Sequence, residues 1–247
     1  MQSDFYTRYF EVEQSHWLMR GRRAIALDLL AKHLPPVDRA HVLDFGCGSG
    51  LTVQTLTAAG YDALGVDFSP EAIDFGTKKG IAGLSVVSDE NLPFNDASFD
   101  AVLCMDVLEH IADEQRALAE MRRVLKPGGA LVIMVPAYMF LWGRQDEVAH
   151  HYRRYSLGRL IEVVRAGGLL AIERRSYFNT LLFPLIALVR VGSWLLGIHS
   201  KRESDFELNN SLANMIFSAV FSFERILLSA FNFPFGVSIL LVVRNHD

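Results

Sequence analysis

The chain has 247 residues, 51% of them apolar, and a formal net charge of −4. That supplies a substantial core for one large domain, and the slightly acidic balance speaks against general nucleic-acid binding. Two cysteines, Cys47 and Cys104, suggest neither a disulfide framework nor a zinc site, and the opening Met-Gln-Ser-Asp-Phe-Tyr lacks a secretory signal pattern, so a cytoplasmic location is expected.

Residues 1–36 precede the first strand and read as an N-terminal cap. Phe5, Tyr6, Tyr9, Phe10, Trp17 and Met19 are aromatic or apolar, Arg20, Arg22 and Arg23 cluster, and a helical run from Ala24 to Leu34 stops at Pro35-Pro36. Trp17 and Arg22 are candidates for substrate contact. From Val42 the pattern alternates: strand Val42–Phe45, helix Leu51–Ala59, strand Ala63–Val66, a helix opened by Ser69-Pro70-Glu71, strand Leu84–Val87, strand Phe99–Met105, helix Ala112–Leu125 and strand Leu131–Val135. Serine is a good N-cap and proline suits the first helical position. Strict βα alternation implies a parallel, doubly wound sheet.

Val42-Leu-Asp-Phe-Gly-Cys-Gly-Ser-Gly50 organises this half. A strand that runs into alternating glycines and then a helix is a nucleotide-binding turn. Glycine permits positive φ and close approach to the main chain, and the helix start offers free N–H groups. The spacing is G-x-G-x-G, whereas a dinucleotide turn reads G-x-G-x-x-G. Asp44 lies two residues before the first glycine, poorly placed for a pyrophosphate and well placed for an ammonium. Asp67 ends the second strand, about twenty residues on, where a carboxylate accepts both ribose hydroxyls. It would repel a 2′-phosphate. Asp89 ends the third strand, placed to accept from an adenine amino group, and Asp106 ends the fourth. Ligands of open α/β sheets bind outside these carboxyl ends.

Val42–Gly50, Gly65-Val66-Asp67, Ser88-Asp89, Phe99-Asp100-Ala101-Val102, Asp106-Val107-Leu108-Glu109-His110-Ile111 and Arg123-Val124-Leu125-Lys126-Pro127-Gly128-Gly129 resemble, in order, the motifs of class I S-adenosylmethionine-dependent methyltransferases of the methyltransferase 11/12-like type. The resemblance implies S-adenosylmethionine as cofactor. It would place Asp44, Gly46, Cys47 and Gly48 at the methionine end, Asp67 and Phe68 at the ribose, Asp89 and Glu90 at the adenine, and Met105 and Asp106 near the sulfonium. It also implies an α/β fold, a seven-stranded doubly wound sheet in the order 3-2-1-4-5-7-6 with the last strand antiparallel.

In the second half, Leu169–Tyr177 and Ser238–Arg244 read as strands 6 and 7. About 60 residues separate them, too many for a turn. Residues 180–235 are therefore expected to form a helical insertion within a single domain spanning 1–247. Leu181–Ile198 and Leu212–Phe231 are its apolar stretches, interrupted by Pro184, Arg190 and Gly192 in the first and by Glu224-Arg225 in the second. A span needs about 20 apolar residues, and an internal arginine costs roughly 2.5–3.5 kcal/mol on insertion scales. A subdomain that covers the substrate, pairs two copies or touches a bilayer is the better expectation.

Methyl transfer needs donor and acceptor held in line. An acceptor hydroxyl also needs help to lose its proton. His151 is the preferred candidate base, ahead of His110. His150, Tyr152 and Arg153 are candidates for binding the acceptor. Asp106-x-x-Glu109-His110 also resembles a metal-binding cluster of some methyltransferases, but the same letters occur in metal-free relatives and no metal is expected. The reading is methyl transfer to a small or lipid-like acceptor, at oxygen, with peripheral membrane contact or a homodimer through the insertion and no nucleic acid. The alternatives are a non-catalytic module that binds a protein or membrane, and an NAD-dependent oxidoreductase, which the glycine spacing disfavours.

Overall fold

A computed structural model describes residues 10–34, 39–87, 91–169, 171–195 and 211–245. Seven strands, β1 His41–Phe45, β2 Asp62–Asp67, β3 Leu84–Val86, β4 Phe99–Met105, β5 Leu125–Pro136, β6 Ala171–Phe178 and β7 Ser238–Arg244, form one sheet in the order β3-β2-β1-β4-β5-β7-β6. The first five are mutually parallel, and β7 runs antiparallel to both β5 and β6. The order, the antiparallel strand and the helices between β6 and β7 agree with the expectation from sequence.

Helices α1 Trp17–His33, α2 Leu51–Ala58, α3 Pro70–Lys78, α4 Glu114–Val124, α5 Arg144–Val148 and α6 Leu157–Ala166 pack about the sheet, and α7 Phe183–Leu195 with α8 Ser211–Ala230 fill the insertion. Residues 10–15 are helical and lead into α1. Local chemistry sets several boundaries. Ser69 accepts from the Ala72 amide to start α3, and Ser156 accepts from the Arg159 amide to start α6. Such a cap contributes about 1 kcal/mol. β5 begins earlier than the Leu131 start expected from sequence. Leu125 already pairs with Phe99, and the irregular step before Ala130 absorbs Lys126–Gly129. The Gly128 amide donates to the Asn245 carbonyl, so the loop ties to the end of β7 instead of ending the pairing.

The core lies on both faces of the sheet. Leu43, Val102, Leu131, Ile133 and Leu241 meet α4 and α6 on one face, while Val42, Leu103, Val132 and Val242 meet α1 and α8 on the other. α8 joins the body through α1. A side chain at Gly21 would collide with the Phe221 ring, so glycine lets the two helices close together. Arg225 forks onto Asp28 of α1 at 2.5 and 2.6 Å. Glu224, 2% exposed, accepts both the Thr180 and Leu181 amides at 2.8 Å, fixing the chain as it leaves β6 for α7.

Candidate active site

The carboxyl ends of β1, β2 and β4 carry the cofactor-type turn. Asp44 is buried on β1, in register with Gly65 of β2 and Leu103 of β4. The amides of Gly46 and Cys47 both donate to the Val66 carbonyl, at 2.8 and 2.9 Å, which folds the chain back over β2. Gly46 has φ +80°, and any side chain there would strike Val107. Gly48 has φ +54° and open space where its side chain would be, so a ligand can approach the main chain closely there. Asp67 accepts the Gly48 amide at 2.7 Å on one oxygen and the Ser69 amide at 2.9 Å on the other. Each oxygen keeps acceptor capacity for a ribose hydroxyl. Phe68 packs edge-on against Phe45, and Met105 is half-buried at the end of β4. Cys47 and Cys104 are both buried free thiols. Asp89 and Glu90 lie outside the described residues.

Glu13, absent from the sequence expectation, reaches this turn from residues 10–15. Its carboxylate accepts the Ser49 hydroxyl at 2.8 Å and lies 3.6 Å from Arg23. Burial raises its pKa, against the pull of Ser49 and Arg23. Burial, then the nearby Glu13 and Asp67 carboxylates, push Asp44 up to about 8. Three carboxylates around one turn, with Arg23 drawing on two of them, favour a positively charged ligand there.

Asp106 takes φ +55°, an unusual backbone for a residue other than glycine. The fold holds it there through its amide, which donates to the Met134 carbonyl at 2.8 Å, and through a 2.5 Å ion pair with Arg22 of α1. Arg22, expected at the substrate, is thus brought to the cofactor edge, where it also donates to Ser238. Tyr138, just past β5, has φ 56° and stacks on Phe140 and Tyr177 with ring centres 5.2 Å apart in each pair. Strained positions of this kind cost about 1–3 kcal/mol each. Here two of them follow the adjacent strands β4 and β5.

Next to Asp106, a single 3-10 turn, Leu108–His110, presents Glu109 inward and His110 outward. The Glu109 carboxyl is fully buried and has no hydrogen-bond partner among the described residues. Burial and then Asp106 raise its pKa well above the carboxylate range. The His110 ring packs edge-on against His151 at 4.5 Å between centres, and donates to the Ala149 carbonyl. Partial burial and then His151 lower its pKa. His151 Nδ1 lies 2.8 Å from Asp146 Oδ1. Asp146, whose side chain is fully buried, also accepts a fork from Arg154 at 2.7 and 3.0 Å and the Gly143 amide at 2.8 Å. Burial alone would raise Asp146, but His151 and Arg154 outweigh it and hold it at about 2. An ionised Asp146 only accepts, so Nδ1 of His151 carries hydrogen and Nε2 is the free nitrogen.

The structure does not gather all the expected acceptor contacts here. Trp17 lies in the joint between α1 and α8, its ring 5.5 Å from Phe217 and Phe221 and its amide on Asn214. Arg153 pairs with Glu114 at 2.9 Å, and Glu114 also takes Tyr155 and Arg159. His150 is exposed with φ 54°. Tyr152 is exposed at its ring, and its amide donates to the Glu109 carbonyl. Asp146 and Arg154 were missed. The only sequence signal was the polar stretch in which they stand.

Residues 43–133 match the Methyltransferase domain family. Among curated proteins, the chain is 34% identical over 115 residues to the ubiquinone biosynthesis O-methyltransferase of Xylella fastidiosa (strain 9a5c), covering 44% of this chain and 46% of that one. It is 31% identical over 159 residues to the demethylmenaquinone methyltransferase of Tropheryma whipplei (strain Twist), covering 62% and 61%. It spans about half the length of the curated relatives it matches. A solved structure described as a putative sarcosine dimethylglycine methyltransferase from Galdieria sulphuraria shares the fold at TM-score 0.63, with 18% identity over 99% of both chains. The chain therefore has the class I methyltransferase fold. Over residues 43–133 it carries the segment that matches the Methyltransferase domain family.

Proposed function

We propose that this chain transfers a methyl group from S-adenosylmethionine to the hydroxyl oxygen of a phenolic, lipid-like acceptor of the quinone type. The observation that carries the reading is the fixed pair His110 and His151 beside Asp106, with Nε2 of His151 unspent. The donor needs no activation, because the sulfonium already makes its methyl electrophilic. The S–CH3 bond breaks with its electron pair going to sulfur, the oxygen–carbon bond forms, and neutral S-adenosylhomocysteine leaves. The protein's tasks are alignment and removal of the hydroxyl proton. Asp44 and Glu13 receive the ammonium of the cofactor, Asp67 its ribose. The names of the relatives, which include an O-methyltransferase and a C-methyltransferase of ubiquinone biosynthesis, support the acceptor class.

The test is incubation with labelled cofactor and a panel of catechols and phenols with isoprenoid tails. O-methylated product is expected, and His151→Ala should lower kcat by about 10²–10⁴-fold with cofactor affinity unchanged. Product methylated at carbon, or no product from a protein that binds the cofactor, overturns the reading.

The insertion supports the lipid part. α8 is long and apolar enough to cross a membrane by length and composition, with 17% of its apolar window buried. Yet Arg225–Asp28 and Phe221 against Gly21 bind one of its faces to α1. Spanning would break those contacts, whereas lying on a bilayer keeps them. Leu188 at 72% and Ile226 at 68% exposed stand on the free faces of α7 and α8, and Met139 and Phe140 extend the apolar surface to the aromatic wall beside Tyr138. In this reading the face rests on the membrane that holds the acceptor. Co-flotation with phospholipid vesicles is expected, and L188D/I226D should abolish it without changing cofactor binding. A parent protein that stays in the dense fraction and forms dimers would reassign the face to a second copy of the chain.

A further inference from the structure

We infer that a second ligand site, for a phosphate-bearing anion, lies in the cleft between the end of α1, the start of β6 and the end of α8. The cleft holds about 190 Å³, and its polar lining is Lys32, His33, Glu173, Arg174, Ser229 and Asn232. It is remote from the cofactor turn. Ala171 of β6 and Ala130 of β5 both pair with Arg244 at this end of the sheet, whereas Asp44, Asp67 and Asp106 stand at the carboxyl ends of β1, β2 and β4.

Arg174 is a half-buried cation without a counter-charge. Arg22, Arg153, Arg154, Arg225 and Arg244 each meet a carboxylate. Among the described residues Arg174 meets only neutral acceptors, the Leu228 and Phe231 carbonyls and Asn232 Oδ1, and its Nη1 is unspent. Burial lowers its pKa and no carboxylate opposes the shift. Buried charges are ordinarily paired. Glu173 is the only acid lining the cleft, and both its oxygens are taken, one by Arg244 at 2.9 Å and the other by His33 Nδ1 at 3.0 Å. Lys32 stands exposed on the same rim, with no ion pair among the described residues. His33 reports the surplus of positive charge. Burial lowers its pKa, Glu173 opposes, and Arg244, Lys32 and Arg174 all lower it further.

The donors come from three elements: an ammonium from α1, a guanidinium from β6 and the Asn232 amide just past α8. Such a set suits an anion with several oxygens, and phosphate takes both the planar fork of an arginine and the point charge of a lysine. The carbonyls at the end of α8 would repel an anion, but Arg174 covers the two that face it. Two sources offer a phosphate group, a soluble ester and a phospholipid headgroup. Ser229 lines the cleft and also continues the exposed side of α8 that carries Ile226, so the site borders the face assigned above to the bilayer. Phosphate binding itself depends on neither the acceptor nor the base.

The probe is inorganic phosphate, titrated calorimetrically into the full chain at pH 7 and constant ionic strength in chloride. Saturable one-to-one binding is expected. Lys32→Glu reverses an exposed charge and should weaken it at least about tenfold. Asn232→Asp sets a carboxylate against Arg174. It should abolish phosphate binding and raise the melting temperature of the ligand-free chain, because it supplies the missing counter-charge. Affinity for S-adenosylhomocysteine should be unchanged in both variants. Displacement of phosphate by glycerol phosphate assigns the site to a soluble ester. Displacement only by phosphatidylcholine vesicles that contain phosphatidic acid, and not by phosphatidylcholine alone, assigns it to a headgroup. No saturable phosphate binding by the parent protein, or binding that neither variant weakens, overturns the inference.

Discussion

Asp67→Ala is expected to weaken S-adenosylmethionine binding by about 10²–10⁴-fold. The carboxylate would offer the ribose two charge-assisted hydrogen bonds, each contributing about 1.5–3 kcal/mol, and every 1.4 kcal/mol is about tenfold in Kd. The substitution also strips the Gly48 and Ser69 amides of the oxygens that fix the turn. Asp67→Asn separates the two effects. An amide keeps the size and one acceptor oxygen but loses the charge, so an intermediate loss is expected. Calorimetric titration with S-adenosylmethionine and S-adenosylhomocysteine gives both values, and circular dichroism reports the fold. An Asp67→Ala protein that binds within tenfold of the parent would remove Asp67 from the ribose site.

Asp67 was visible in the sequence because its task is local. A carboxylate at a strand end, the glycines at fixed offsets and the serine cap after it all act within one βα turn. The alternation of strands and helices marked a parallel, doubly wound sheet for a similar reason, while the strand order itself came from the family resemblance. What escaped depends on contacts between distant segments. Glu13 meets Ser49 only because α1 folds back over the sheet, and nothing in residues 10–15 marks one glutamate as buried. Asp146 lies on a helix of five residues, too short for a periodicity to show which side chain turns inward.

Arg153 and Arg154 show the same difficulty at the scale of one residue. They are neighbours in an irregular stretch, and the structure sends the first to Glu114 and the second to Asp146 beside His151. Trp17 errs in the other direction. An aromatic ahead of an arginine cluster suggests a ligand platform, yet the insertion supplies Phe217 and Phe221 as its partners. The length surplus between β6 and β7 revealed the insertion itself. Its seat on α1, set by Gly21 and Asp28, involves residues nearly two hundred positions away from α8. These tertiary contacts join the two halves of the site. α1 supplies Arg22 to Asp106, Asp106 stands close enough to Glu109 to raise its pKa, and the segment after β5 brings His151 to His110.

Cofactor affinity should rise steeply with pH between 6 and 8. In the free protein Asp44 titrates at about 8, because burial and the Glu13 and Asp67 carboxylates disfavour its charge. A ligand ammonium beside it favours the charged form and pulls that pKa down, so binding below pH 8 expels a proton. The sign follows from mass action: what releases a proton is strengthened as protons become scarce. With Asp44 ionised and the ligand ammonium protonated in the complex, the apparent Kd should fall about 20-fold from pH 6 to pH 8, nearly tenfold per unit at the acid end. His16, lowered to about 4 by burial and Arg22, stays neutral across this window and adds nothing. An α-amino group is itself about half deprotonated near pH 8, which takes back part of the gain there and ends it at higher pH. Calorimetry in buffers of different ionisation enthalpy counts the protons directly, with close to one released per cofactor expected at pH 7. Asp44→Asn should flatten the dependence and bring the count toward zero, leaving only the share that Glu13 contributes. A parent protein whose affinity does not change from pH 6 to pH 8 would place the cofactor's ammonium away from Asp44.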